Sequence, residues 1–186
     1  MTEPPTRRSL YLDEWRIDIT RRAGVARIGP DVALARNVVA AARAARAPAA
    51  SSVGLILTDD AEIAALNESQ MGHEGPTDVL SFPLLAPGDF PGHAGQDPAV
   101  RSPGGPGFAL PPDRRIHLGD IVISVDRARE QAEQGRGGQT GDVEWSVADE
   151  MRLLVTHGTL HLCGWDHALP EEEAAMRAVE RDLLGA

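Results

Sequence analysis

Apolar residues in this chain follow two periods. In Leu10-Tyr11-Leu12 and Trp15-Arg16-Ile17-Asp18-Ile19 they alternate with polar ones, as on a half-buried strand. From Val32 to Ala47 the period lengthens: Leu34, Val38, Val39 and Ala42 form a helical stripe that Pro48 stops. Asp31 stands where an N-cap belongs. Residues 1–9, polar and with two prolines, are expected to fray. Val53–Leu57 is a short apolar run suited to a strand. Thr58-Asp59-Asp60 offers capping groups for a helix over Ala61–Ser69, with Ile63 and Leu66 inward.

Val79, Leu80 and Phe82 predict a strand, and Pro83 places it at an edge or ends it. Residues 86–113 are rich in Pro and Gly and lack an apolar period, so they read as a long loop. Ile121-Val122-Ile123 predicts an inner strand. Ser124 is placed to cap a helix over Val125–Gln134. Four glycines mark 135–141 as a loop. Asp142 or Thr140 is expected to cap the next helix, begun by Trp145 and Val147 and carried on by Met151, Leu153, Leu154 and Val155. Pro170 followed by Glu171, Glu172 and Glu173 suits a helix start, with Met176, Val179, Leu183 and Leu184 as its stripe. Strands and helices mixed in this way predict an α+β domain, a small mixed sheet packed against helices.

Chemistry concentrates in one place. Three of the six histidines, His157, His161 and His167, lie within eleven residues, spaced His-x3-His-x5-His. Residues four apart on a helix lie about 40° apart around its axis and roughly 6 Å apart along it, so His157 and His161 can aim at one point. Gly164 suits the left-handed turn that ends a helix and can return His167 to that point. Three imidazoles with one direction open is the arrangement of a catalytic zinc site, which activates water for attack on an ester or amide. Cys163 follows His161 by two residues, about 200° around the helix, and reads as a small buried apolar group. In peptidases of the His-Glu-x-x-His type, a glutamate beside the first histidine is the general base. Gly158 occupies that place. Asp166, next to His167, is a candidate to orient a ligand imidazole from the outer shell, or else to shuttle a proton. Thr77, Asp78 and Ser81 either cap strand ends or line the cleft, and the sequence leaves both open. Trp165 either stacks a base or packs against the turn.

Composition narrows the setting. The 186 residues suit one domain with a sizeable core. No run approaches 18 apolar residues, the start lacks a signal-peptide layout, and one cysteine permits no internal disulfide. A soluble cytoplasmic protein, with no membrane partner, is therefore expected. The net charge of −10 argues against broad nucleic-acid binding. Residues 1–50 nevertheless hold nine Arg against five acids, and the remainder nine against 23. There is no Lys.

The run from His157 to His167, His-Gly-Thr-Leu-His-Leu-Cys-Gly-Trp-Asp-His, resembles the signature of the YbeY family of bacterial ribosomal RNA maturation factors. Leu57-Thr58-Asp59-Asp60 with Leu66-Asn67, Pro76-Thr77-Asp78-Val79-Leu80-Ser81-Phe82-Pro83, and His117-Leu118-Gly119-Asp120 to Ser124 resemble it in the same order. The resemblance, which runs from about Val53 to Leu184, implies a zincin-like α+β fold with the His-x3-His helix central; together with the chain length it predicts a single domain over 1–186, with 86–113 as an inserted loop. It implies one zinc ion on His157, His161 and His167. It further implies a single-strand-specific endoribonuclease that matures the 3′ end of small-subunit ribosomal RNA and serves ribosome quality control. Its partners would then be single-stranded RNA and the small ribosomal subunit with its proteins. One departure stands out: Met71 occupies the place of an Arg considered important for activity in that family. No catalytic side chain is assigned. The rival readings are a non-catalytic ribosome assembly factor with a structural zinc and, against Gly158, a zinc peptidase.

Overall fold

The computed structural model describes residues 4–96, 115–135 and 145–185. Five strands form one sheet: β1 (Thr6–Leu12), β2 (Trp15–Arg21), β3 (Ser51–Thr58), β4 (Val79–Pro83) and β5 (Ile116–Ser124), in the order β1-β2-β3-β5-β4. The β1–β2 and β4–β5 pairs are antiparallel, whereas β2–β3 and β3–β5 are parallel. The helices are α1 (Asp31–Ala44), α2 (Asp60–Leu66), α3 (Val125–Glu133), α4 (Val147–Leu162) and α5 (Pro170–Leu184).

The mixed sheet matches the expected α+β class, and β5 is an inner strand as the β-branched run predicted. Four local expectations change. Thr6–Ser9, expected to fray, belong to β1, which pairs along its whole length with β2. Asp31 is the first residue of α1 rather than its cap. It is buried, and its carboxylate lies 3.0 Å from the buried guanidinium of Arg21, with Arg27 and Arg8 at 3.5 and 3.6 Å. A buried Arg is tolerated only with such a counter-charge. The helix predicted over Ala61–Ser69 is α2 followed by a π-helical turn, Asn67–Met71. The cap of α4 is Ser146; Asp142 and Thr140 fall outside the described residues, as do 97–113 of the predicted long loop.

Alternation decides which face of the sheet is covered. On β2, Trp15, Ile17 and Ile19 are buried while Arg16, Asp18 and Thr20 are partly exposed. Trp15, Ile17, Ile19, Val53, Leu55, Leu57, Ile121 and Ile123 face α1 and α4, in one core with Leu34, Val38, Met151, Leu154, Val155 and Leu160. Each such side chain contributes about 1.5–3 kcal/mol on burial. On the opposite face, α2 covers a smaller cluster of Ile63, Leu80 and Val122. Helix α4 lies against β4 and β5 and touches α1, α3 and α5. Gly158 allows the close approach: a Cβ there would stand 2.8 Å from Ile121 Cγ2, 3.2 Å from Ser81 Oγ and 3.3 Å from Val79 Cγ2.

Candidate metal centre

Helix α4 starts with a reciprocal cap. Ser146 Oγ accepts from the backbone N–H of Asp149 at 3.2 Å, and the Asp149 carboxylate accepts from the backbone N–H of Ser146 at 3.2 Å. The helix buries Met151, Leu154, Val155, Gly158, Leu160 and Leu162, leaving His157 and His161 half-exposed beside that stripe. Their Nε2 atoms are 3.1 Å apart. The helix ends at Gly164, where φ is +79°. Trp165 N–H bonds Leu160 O at 3.1 Å and Gly164 N–H bonds His161 O at 3.1 Å. This pair of bonds is the Schellman ending that glycine favours. The chain reverses, and the His167 ring centroid comes to 5.4 Å from that of His157 and 5.0 Å from that of His161.

One ligand atom from each of His157, His161 and His167 lies within 4.8 Å of the others. Among the described residues this group has three members and no fourth. Two nitrogens bound to one tetrahedral zinc at about 2.0–2.1 Å would be about 3.3 Å apart, close to the 3.1 Å between His157 and His161. The donor set fits a divalent cation with a coordination position to spare.

The surroundings prepare these rings as ligands. His157 Nδ1 lies 2.8 Å from Glu180 Oε1 on α5. A carboxylate accepts, so the proton sits on Nδ1 and the Nε2 lone pair is free for a metal. Burial first, then the neighbouring His157 and His167, push the His161 pKa down to about 4. Its ring is neutral at pH 7, the form that ligates.

Other sequence candidates divide. Thr77, Asp78 and Ser81 stand on the wall of a cavity of about 840 Å³ that the three histidines also line. They satisfy backbone groups there as well: Asp78 Oδ1 accepts from Val79 N–H at 2.8 Å, and Ser81 Oγ donates to Gly158 O at 3.2 Å. Asp166 lines the same cavity, but its Oδ1 accepts from the backbone N–H of His167 at 2.8 Å rather than from an imidazole. The carboxylate that does bond a clustered imidazole is Glu180, which the sequence reading missed. Its signal was a carboxylate four residues after Met176, on the stripe that α5 buries. Cys163 is 1% exposed, belongs to the core, and has its thiol pushed up to about 12 by burial. Trp165 is covered by the His93 ring, stacked at 3.9 Å between centroids, so it packs at the turn. His117 lies in a different cavity, bonded to Ser52 Oγ at 3.0 Å and near Asp120 Oδ1 at 3.3 Å.

A cation held here by His157, His161 and His167 as neutral donors would keep its positive charge and could polarise an anionic ester. No described helix is long and apolar enough to cross a membrane.

A family model described as Endoribonuclease YbeY matches residues 30–186. Curated relatives carry the same name. The one from Synechococcus sp. (strain CC9605) is 42% identical over 135 residues, spanning 72% of this chain and 64% of that protein. The one from Roseiflexus sp. (strain RS-1) is 40% identical over 135 residues, spanning 72% of this chain and 69% of that protein. The one from Prochlorococcus marinus (strain MIT 9313) is 34% identical over 178 residues, spanning 96% and 77%. A solution structure from Thermotoga maritima is 21% identical, covers 92% of this chain and 89% of that one, and has a TM-score of 0.47. With its family model matched over most of its length, the chain belongs to the YbeY family.

Proposed function

We propose that this protein is a zinc-dependent, single-strand-specific endoribonuclease of zincin-like fold. It acts in the cytoplasm on the 3′ end of small-subunit ribosomal RNA, in contact with the small subunit and its proteins, and serves ribosome quality control. The observation that carries this reading is the convergence of His157, His161 and His167 on the wall of a cleft, in a chain whose relatives are named endoribonucleases.

A bound divalent ion would supply Lewis acidity toward a phosphodiester oxygen and lower the cost of deprotonating water. The chain's own residues supply position. Glu180 holds the His157 ring, the Gly164 turn delivers His167, and Gly158 leaves bare backbone where a peptidase would present its glutamate. That last point weighs against peptide hydrolysis.

A second reading, a non-catalytic ribosome assembly factor with a structural zinc, draws on Met71. This side chain is 43% exposed and lines the cleft where the family's Arg is expected. Purified protein should be incubated with single-stranded RNA, with and without chelator, beside His161→Ala. The nuclease reading expects cutting that both treatments abolish. Cutting that survives both is a contaminant. Binding to small subunits without turnover, with chelator only lowering the melting temperature, selects the assembly factor.

A further inference from the structure

The charge inventory of the cleft poses a problem for an RNA substrate. Its described lining includes the acids Asp78, Asp166 and Glu172 and no Arg. Among the described lining residues, the side chains able to carry positive charge are the three clustered histidines and one other, His73. A phosphodiester entering this cleft meets carboxylates, and among the described residues His73 is the side chain outside the histidine cluster that can offset them.

The loop that carries His73 is built, not merely exposed. The π-helical turn Asn67–Met71 ends at Gly72, where φ is +71°. The largely buried Asn67 then closes the loop, its Nδ2 donating to Gly75 O at 2.9 Å while its own carbonyl accepts from His73 N–H at 3.4 Å. This clasp fixes the backbone at His73 on the cleft wall. Among the described residues the His73 ring has no hydrogen-bond partner, so a donor nitrogen faces solvent in either tautomer. Met71, on the same wall, offers only a thioether.

We propose that His73 is a substrate-contacting residue that donates a hydrogen bond to a backbone phosphate of single-stranded RNA lying in the cleft. This rests on the nuclease reading above and adds to it the group that grips the strand away from the metal.

The test uses the full chain, made metal-free, and a short fluorescent single-stranded RNA whose binding is followed by anisotropy. His73→Ala should weaken binding about threefold to tenfold, the loss of one hydrogen bond to a charged phosphate. His73→Lys, which can also donate to a phosphate, should restore it. With zinc loaded, His73→Ala should lower kcat/KM by a similar factor at unchanged zinc content. Parent-like binding in His73→Ala overturns the inference while leaving the nuclease reading intact. So does a His73→Lys variant as weak as His73→Ala. Parent protein that neither binds nor cuts the RNA overturns both.

Discussion

Glu180 Oε1 lies 2.8 Å from His157 Nδ1 across 23 residues of sequence. The last helix therefore reaches back to the histidine cluster and sets the tautomer of its first histidine. Losing such an outer-shell partner weakens metal affinity by about 10–100-fold. Glu180→Ala should do so with the fold retained, and Glu180→Gln, whose amide oxygen can still accept, should fall between. Chelator competition with zinc measures it; equal affinities in all three proteins would remove Glu180 from the centre.

Gly158→Ala sets two effects against each other. Alanine gains about 1 kcal/mol over glycine in a helix. The new Cβ, however, would meet fully buried Ile121 at 2.8 Å with Ser81 and Val79 close behind, and overpacking typically costs about 1–3 kcal/mol. With three neighbours closing on one methyl, the clash wins. Urea denaturation should show a net destabilisation of about 1 kcal/mol, and a more stable variant would mean that α4 has room to shift.

Ser146→Ala removes the cap of the histidine helix and should cost about 1 kcal/mol near neutral pH. The hydroxyl of Ser146 donates to Asp149 Oδ2 at 2.6 Å. That bond, ahead of the opposing effect of burial, holds the Asp149 carboxyl below the usual carboxylate range. A lowered carboxylate pKa stabilises the fold above its unfolded value and loses that contribution as pH falls through the native one. The stability gap between parent and variant should therefore be widest near neutrality and shrink below about pH 4. A gap that does not change between neutral and acid melts contradicts this.

Cys163→Ala should bind zinc with the stoichiometry of the parent, because Cys163 lies in the core and outside the three-histidine group. In the native parent the thiol should resist alkylation until denaturant is added. A fall in bound zinc on the substitution would restore cysteine as a ligand.

The histidine trio was legible in the sequence because each step of its assembly is local: four residues along a helix, then a glycine that reverses the chain. Glu180 was not, because its role exists only once α5 folds back onto α4. Asp31 was misread for a related reason. Its partner Arg21 sits on another element, so a buried ion pair looked like an ordinary cap. Strand β1 left little trace because Arg7, Arg8 and Ser9 are exposed at the sheet edge, where nothing enforces alternation. The true cap of α4 was visible as Ser146 with an acid three residues on, but several cap-forming residues just before it competed.

The contact beneath Gly158 also bears on how this scaffold can change over time. A glutamate at that position would complete the arrangement that peptidases use, yet its first carbon would already collide with the sheet. Gaining that base would first have to overcome this crowding, at a cost set by how far the neighbouring side chains can give. The close seat of the helix on the sheet thus weighs against the arrival of a carboxylate beside the first histidine.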